Sequence, residues 1–179
     1  MQALVVVESV FGNTRAIADA VADGLAHCGD VRVLTATEAA AATGLLDGVG
    51  LLVVGGPTHA FGMTRAATRR SAAERAGGGA VAATTGLREW LAALPATRTG
   101  LPAAAFDTRT DHPRLPGSAA SGAARRLRRL GYELVARPES FRVTGTTGPL
   151  LADEAERARV WGHNLLARVT LRAAEHSPG

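Results

Sequence analysis

The sequence contains no lysine: all 20 of its basic residues are arginine, set against 16 acidic ones. Guanidinium groups keep their charge above pH ~12. No ammonium groups therefore titrate away near pH ~10, and the calculated isoelectric point of 10.8 overstates how basic the chain is. The useful figure at neutral pH is a net charge of +4. Cysteine is nearly absent too. A lone Cys28 cannot close an internal disulfide, and it reads as a small buried side chain near the end of a helix. No stretch approaches the ~18 apolar residues of a membrane span. The opening MQALVVV has no basic lead and too short an apolar run for a secretory leader. The five histidines are dispersed, with no His-x-x-x-His or Cys-x-x-Cys spacing, so no metal site is expected. No nucleophile–base pairing can be read from spacing, and no catalytic residue is assigned. A cytoplasmic protein with neither a nucleic-acid nor a membrane partner is the expectation.

What is present is a rhythm of alternating elements. A chain of 179 residues, 46% hydrophobic, suits one domain with a real core, here residues 1–174 with 175–179 as a frayed tail. Ala3 to Val7 is a continuous apolar, β-branched run, as expected of a strand buried on both faces. From Thr14 to His27, Ile17, Val21 and Leu25 recur at four-residue spacing and mark the buried stripe of a helix. Gly29-Asp30 ends it, Val31 to Leu34 reads as a second strand, and a short alanine-rich helix follows from near Thr37. Val49 to Val54 makes a third buried strand, closed abruptly by Gly55-Gly56-Pro57, a sequence that permits a sharp exit. Residues 59 to 82 carry little periodic signal and read as a functional loop or a partly helical stretch. Thr84 to Leu94 reads as a helix capped by Thr84 or Thr85, with Leu87, Leu91 and Leu94 on one side. A fourth strand is expected at Leu101 to Phe106, a helix at Ser118 to Leu130, and a fifth strand over Tyr132–Ala136 and Ser140–Thr144, broken at Pro138. The last helix spans Ala152 to Ala173, with Ala158, Trp161, Leu165 and Val169 as its stripe. Strands alternating with helices argue for an open parallel sheet covered on both faces.

Charge is unevenly placed. Residues 88–142 hold ten arginines and five acids, while the flanking segments are close to neutral. The excess centres on ARRLRRLG, Ala124 to Gly131, where Arg125 and Arg129 share a helix face flanked by Arg126 and Arg128. That face is either solvated or a docking patch for an acidic partner. It has no interleaved aromatics and fits no nucleic-acid motif.

In an open parallel sheet, ligands bind beyond the carboxyl ends of the strands, so the loop after the first strand is the place to look. Glu8 to Thr14, ESVFGNT, supplies Ser9 and Thr14 hydroxyls, the Asn13 amide, Gly12, and the N–H groups of a helix start. Such a start suits a phosphate; the same residues also serve as an ordinary helix cap. The loop lacks G-x-G-x-x-G and the Walker lysine.

SVFGNT, residues 9–14, resembles the phosphate loop of flavodoxins, [ST]-x-[ST]-G-x-T, and the longer ESVFGNT resembles a bacterial flavodoxin-like subgroup. The likeness continues through VVGGPTHAFG, Val53 to Gly62, through AAFDTRTDHPRLPGSAA, Ala104 to Ala120, and through the tail from PESFRVTG to ARVWGHNLLARV. It implies a three-layer α-β-α sandwich around a five-stranded parallel sheet of order 2-1-3-4-5, binding FMN non-covalently. Ser9, Gly12, Asn13 and Thr14, with Val10 and Phe11 in the same loop, would hold the phosphate. Pro57, Thr58, His59, Ala60, Phe61 and Gly62, with Asp107, Thr108, Arg109 and Gly117, would flank the isoalloxazine ring. Three departures stand out. Phe11 replaces a hydroxyl residue. Glu8 sets a carboxylate beside the phosphate and must turn away, for instance to an arginine. The third loop has no Trp or Tyr, offering Asp107, Arg109, Asp111, His112 and Arg114 instead. Trp90 and Trp161 lie in helical stripes and read as core.

Three functions follow. The first is an electron-transfer protein serving a redox partner, which would present negative charge to this mildly basic chain. The second is an FMN-dependent NAD(P)H oxidoreductase acting on quinones or similar small acceptors, which the arginine-bearing stretch Arg65 to Arg75 suits as a lining for anionic ligands. The third is a flavin-free binding module on the same fold. Electron transfer leads.

Overall fold

The computed structural model describes residues 1–59, 62–75, 85–97, 100–112, 116–145 and 147–175. The Cys28 side chain, expected to be buried, lies outside the described residues, as do the Gly77–Gly79 run and the last four residues. In chain order the elements are β1 (Gln2–Val7), α1 (Asn13–Leu25) with a 3-10 turn at Ala26–Cys28, β2 (Val31–Thr35), α2 (Ala36–Ala41), β3 (Val49–His59) and β4 (Gly62–Met63). There follow α3 (Ala66–Arg75), α4 (Leu87–Ala93), β5 (Pro102–Thr110), α5 (Ala119–Arg129), β6 (Glu133–Leu134), β7 (Glu139–Val143) and α6 (Glu154–Glu175).

β1 lies between β2 and β3, parallel to both, and β3 pairs in parallel with β5. β6 and β7 both pair in parallel with β5, β6 near its start and β7 along its second half. They form the fifth strand in two pieces, so the order 2-1-3-4-5 holds. The break falls at Pro138, which cannot donate to a ladder, and the register absorbs it: Ala103 faces Leu134 while Phe106 faces Glu139.

Side chains alternate across a strand, and β1 sorts its apolar run accordingly. Leu4 and Val6 pack with Ala36 and Ala39 of α2, Leu87 and Leu91 of α4, and Ala123 and Leu127 of α5. Ala3, Val5 and Val7 pack on the other face with Ile17, Val21 and Leu25 of α1 and Ala158, Leu165 and Val169 of α6. Trp90 is in the first cluster, and Trp161 packs on the second with its ring 6.1 Å from Phe106 and from Phe141. Among the described residues no helix is long and apolar enough to cross a membrane, and no cluster of His, Cys, Asp or Glu is placed to hold a metal.

Two expectations are corrected. The third strand does not stop at Gly55-Gly56-Pro57: pairing with β5 continues through Gly55–Phe106, Gly56–Asp107 and Pro57–Thr108. Gly55 is needed for packing rather than for a turn, because a Cβ there would overlap the Phe106 ring. The chain reverses later, between His59 and Gly62, where β3 and β4 pair antiparallel. The helix expected from Thr84 starts instead at Leu87, with Gly86 at its N-cap, and the Gly86 N–H donates to Glu89 Oε2 at 3.1 Å. A carboxylate three residues in does the capping, so no threonine is required. The aperiodic stretch after residue 59 is partly helical, as α3. At the C-terminus α6 runs to Glu175, one residue into the expected tail.

Candidate functional site

The carboxyl ends of β1, β3, β5 and β7 share one edge of the sheet, and there they border a cavity of about 290 Å³. Val10, Phe11, Asn13 and Thr14 line it from the first loop, Pro57, Thr58 and His59 from β3, and Thr108, Arg109 and Thr110 from β5. Val143 and Gly145 close one side, and Thr68, Ser71 and Arg75 of α3 form another wall. Nine of the residues expected from the sequence thus meet in one place.

The first loop is shaped by Gly12, at φ 86°, the left-handed region that favours glycine. Nothing lies within 4 Å of where its Cβ would be, so the demand is conformational rather than steric. α1 starts at once, and Gly12 at its N-cap has no side chain to offer the first turn. The polar side chains of the loop are engaged by protein. Ser9 Oγ accepts the Arg15 N–H at 3.2 Å, Asn13 Nδ2 donates to the Thr147 carbonyl at 2.9 Å, and the Thr14 and Thr108 hydroxyls share a buried hydrogen bond of 2.7 Å. The backbone N–H groups of residues 10–14 have no acceptor among the described residues. They stand at the positive end of a 13-residue helix.

Among the described residues the lining includes two guanidiniums, Arg75 and Arg109, and no carboxylate. The neighbouring acids face elsewhere. Glu8, 4% exposed, continues the Leu4–Val6 row toward α4; its Oε1 accepts from the Thr64 hydroxyl at 2.5 Å and its Oε2 from the Leu87 N–H at 2.7 Å. It turns away from the loop as expected, but its direct partners are a hydroxyl and an amide; Arg69 reaches the same Thr64 hydroxyl from the other side, at 3.2 Å. Asp107 is fully buried and is not in the lining. Its Oδ2 accepts from Thr58 Oγ1 at 2.8 Å, Ser118 Oγ at 2.6 Å and the Ala120 N–H at 3.0 Å, which ties β3 and β5 to the start of α5. Its Oδ1 is buried without a partner among the described residues. Gly62 opens β4 opposite His59, and Gly117, at φ 84°, precedes the α5 cap; neither lines the cavity. Ala60, Phe61 and Arg114 lie outside the described residues. His112 is exposed, with Nδ1 2.8 Å from Asp111 Oδ2.

His59 is half-buried beside Arg75. Burial, and after it the Arg75 charge, push its pKa below the ordinary 6.5, so a neutral imidazole faces the cavity at pH 7. Arg75 is steadied by its own helix, Nε donating to the Ser71 carbonyl at 3.1 Å. Thr68, Ser71, Thr110, Val143 and Gly145 join the lining with no sequence motif to mark them. α3 reads AATRRSAAER, whose only apolar residues are alanines, so it has no periodicity to detect. The arginine density of residues 65–75 was the one available signal.

No family model matches this sequence, and no curated protein does. Solved structures do. A flavodoxin from the domain Archaea superposes with a TM-score of 0.63 at 20% identity, over 95% of this chain and 99% of that one. Oxidised flavodoxin 1 from Bacillus cereus gives 0.63 at 15% identity, over 99% and 100%. The flavodiiron protein from Giardia intestinalis gives 0.61 at 19% identity, over 99% of this chain but 38% of that longer one. At these identities the likeness is one of fold.

Proposed function

We propose that this chain, whose fold is flavodoxin-like, binds FMN non-covalently in the edge cavity and serves as an electron-transfer protein. The observation that carries the reading is the row of amides at residues 10–14 with no acceptor among the described residues, bordering a cavity whose described lining holds two guanidiniums and no carboxylate. An anion is the ligand such a site favours, and the residues present therefore fit a flavin phosphate. When bound, FMN supplies reversible electron transfer. The chain's own residues hold and orient it. With Phe11 in place of a hydroxyl, phosphate binding falls to backbone donors. Asn13 and Thr14, which also line the cavity, hold the loop in shape through Thr147 and Thr108. Arg75 and Arg109 favour negative charge in the remainder of the cavity, and the neutral His59 offers a hydrogen-bonding edge without adding a third cation.

The partner is then a redox protein presenting negative charge. A second reading, an FMN-dependent NAD(P)H oxidoreductase acting on quinones or similar small acceptors, is favoured by one feature, the Arg75 side of the cavity contributed by α3. The deciding experiment is the visible spectrum of purified protein, before and after incubation with FMN and desalting. Retained flavin absorption, with free FMN released on denaturation, is expected, and NAD(P)H oxidation then separates the two readings. A colourless protein that retains no added FMN overturns both and leaves a flavin-free binding module.

A further inference from the structure

α3 contributes Thr68, Ser71 and Arg75 to the cavity, yet it has little with which to hold itself in place. Its buried residues are Ala72, Ala73 and Arg69. Two alanine methyl groups offer far less transfer energy than the leucine and isoleucine stripes that seat α1 and α4. The largest buried side chain on α3 is a charged one.

Arg69 is 3% exposed and sits at the centre of a polar chain. Its Nη1 lies 3.0 Å from Glu89 Oε2, on α4, and donates to Thr64 Oγ1 at 3.2 Å. Thr64, 1% exposed, donates its hydroxyl to Glu8 Oε1, and Glu8 Oε2 accepts from the Leu87 N–H. Burial raises the Glu89 carboxyl, but the Arg69 hydrogen bond and backbone donors outweigh it and hold the group below its ordinary pKa. Gly86 makes room for the cluster: a Cβ there would overlap Arg69 Nη1 and lie 2.7 Å from Glu8 Oε2. Arg69 Nε remains buried without a partner among the described residues.

We infer that Glu8, Thr64 and Arg69 are positioning residues: a buried polar clasp that docks α3 against the sheet and thereby holds Arg75 at the cavity wall. The inference rests on the edge cavity being the binding site. It also accounts for the glutamate that opens ESVFGNT. Glu8 directly follows β1 and opens the loop, so its side chain ties the loop's root to Thr64 and the Leu87 N–H, and through Thr64 to Arg69 of α3. Breaking a buried charged network by removing one member leaves the others uncompensated, and α3 has no apolar face to take over.

The test has two arms. In FMN-free protein, amide hydrogen exchange is followed in α3 and in β1, β3 and β5 for wild type and Arg69→Met. Exchange in α3 is expected to rise about tenfold or more while the strands keep their protection. In the second arm, FMN dissociation constants are measured for Arg69→Met, Arg75→Gln and the double variant. Each single change weakens binding, and the double variant binds no worse than Arg69→Met alone, because an undocked α3 no longer presents Arg75. Unchanged α3 exchange, or an Arg75→Gln effect that persists in full on top of Arg69→Met, overturns the clasp. Should Arg69→Met fail to fold, Thr64→Val removes the bridging hydroxyl, leaves both charges, and is read in the same way. A wild-type protein that binds no FMN overturns the proposed function, while the exchange arm still decides the clasp.

Discussion

Glu8 and Asp107 flank the candidate site in sequence, and the pleat of a strand decides which way each carboxylate goes. Glu8 follows Leu4 and Val6 toward the α4 layer, and Asp107 follows Ala103 and Ala105 toward α5. Thr108, one residue on, belongs to the opposite row and meets Thr14 of α1. The same parity that clears the cavity of negative charge therefore closes it with a hydroxyl pair. His59 is where the residual positive charge can be measured. Its pKa lies below 6.5, so between that lowered value and 6.5 the unfolded chain binds a proton that the folded one does not. Stability should then rise with pH across that window and show no dependence on this group above it. An NMR titration is expected to put the His59 midpoint below 6.5, and Arg75→Gln should raise it only part of the way, because burial is the larger cause. A midpoint at or above the ordinary value would remove both causes at once.

At the scale of elements, two helices show contrasting ways of docking. α1 and α6 pack along a line where Gly24 and Gly162 stand against backbone: a Cβ on Gly24 would overlap the Arg159 carbonyl, and one on Gly162 the Val21 carbonyl. In an exposed helix a glycine-to-alanine change gains about 1 kcal/mol in propensity. Here the overlap with a fixed carbonyl dominates, and Gly24→Ala is expected to destabilise by ~1–3 kcal/mol in urea unfolding. A stabilised variant would mean that the two helices separate at little cost. α3 has neither a glycine seam nor an apolar stripe, which is why its docking falls to Arg69.

Across the whole molecule, the cationic surplus and the cavity sit at opposite ends. Ser118 caps α5 beside Asp107, at the cavity edge, and α5 then runs 11 residues, about 16 Å, back toward the start of β5. Arg125, Arg128 and Arg129 are exposed near its far end, whereas Arg126 is turned to the Leu91 and Ala92 carbonyls at the end of α4. Screening at physiological salt has a length of ~8 Å, so the patch exerts little field at the cavity. Replacing Arg125, Arg128 and Arg129 together with glutamine should leave FMN affinity within about twofold at physiological ionic strength. A larger loss in an FMN titration would show that the patch acts on the cavity after all. An acidic protein held by this patch would be docked away from the cavity mouth.

The sequence by itself determined the sheet and the two-sided core, and it marked the loop after β1 that borders the edge cavity. Those features are written in runs and periods of a few residues: ALVVV for a strand buried on both faces, Ile17–Val21–Leu25 for a helix stripe. Pro138 announced the broken fifth strand for the same local reason. Only the tertiary structure decided where β3 ends, since that depends on Gly55 giving way to Phe106, and that α3 walls the cavity, since alanine and arginine carry no period. It alone sent Glu8 to the Leu87 amide, 79 residues away, and Thr14 to Thr108, 94 residues away. Local patterns record which face of an element is apolar. Which distant donor meets a given carboxylate depends on strand order and register, and these exist only once the sheet has formed.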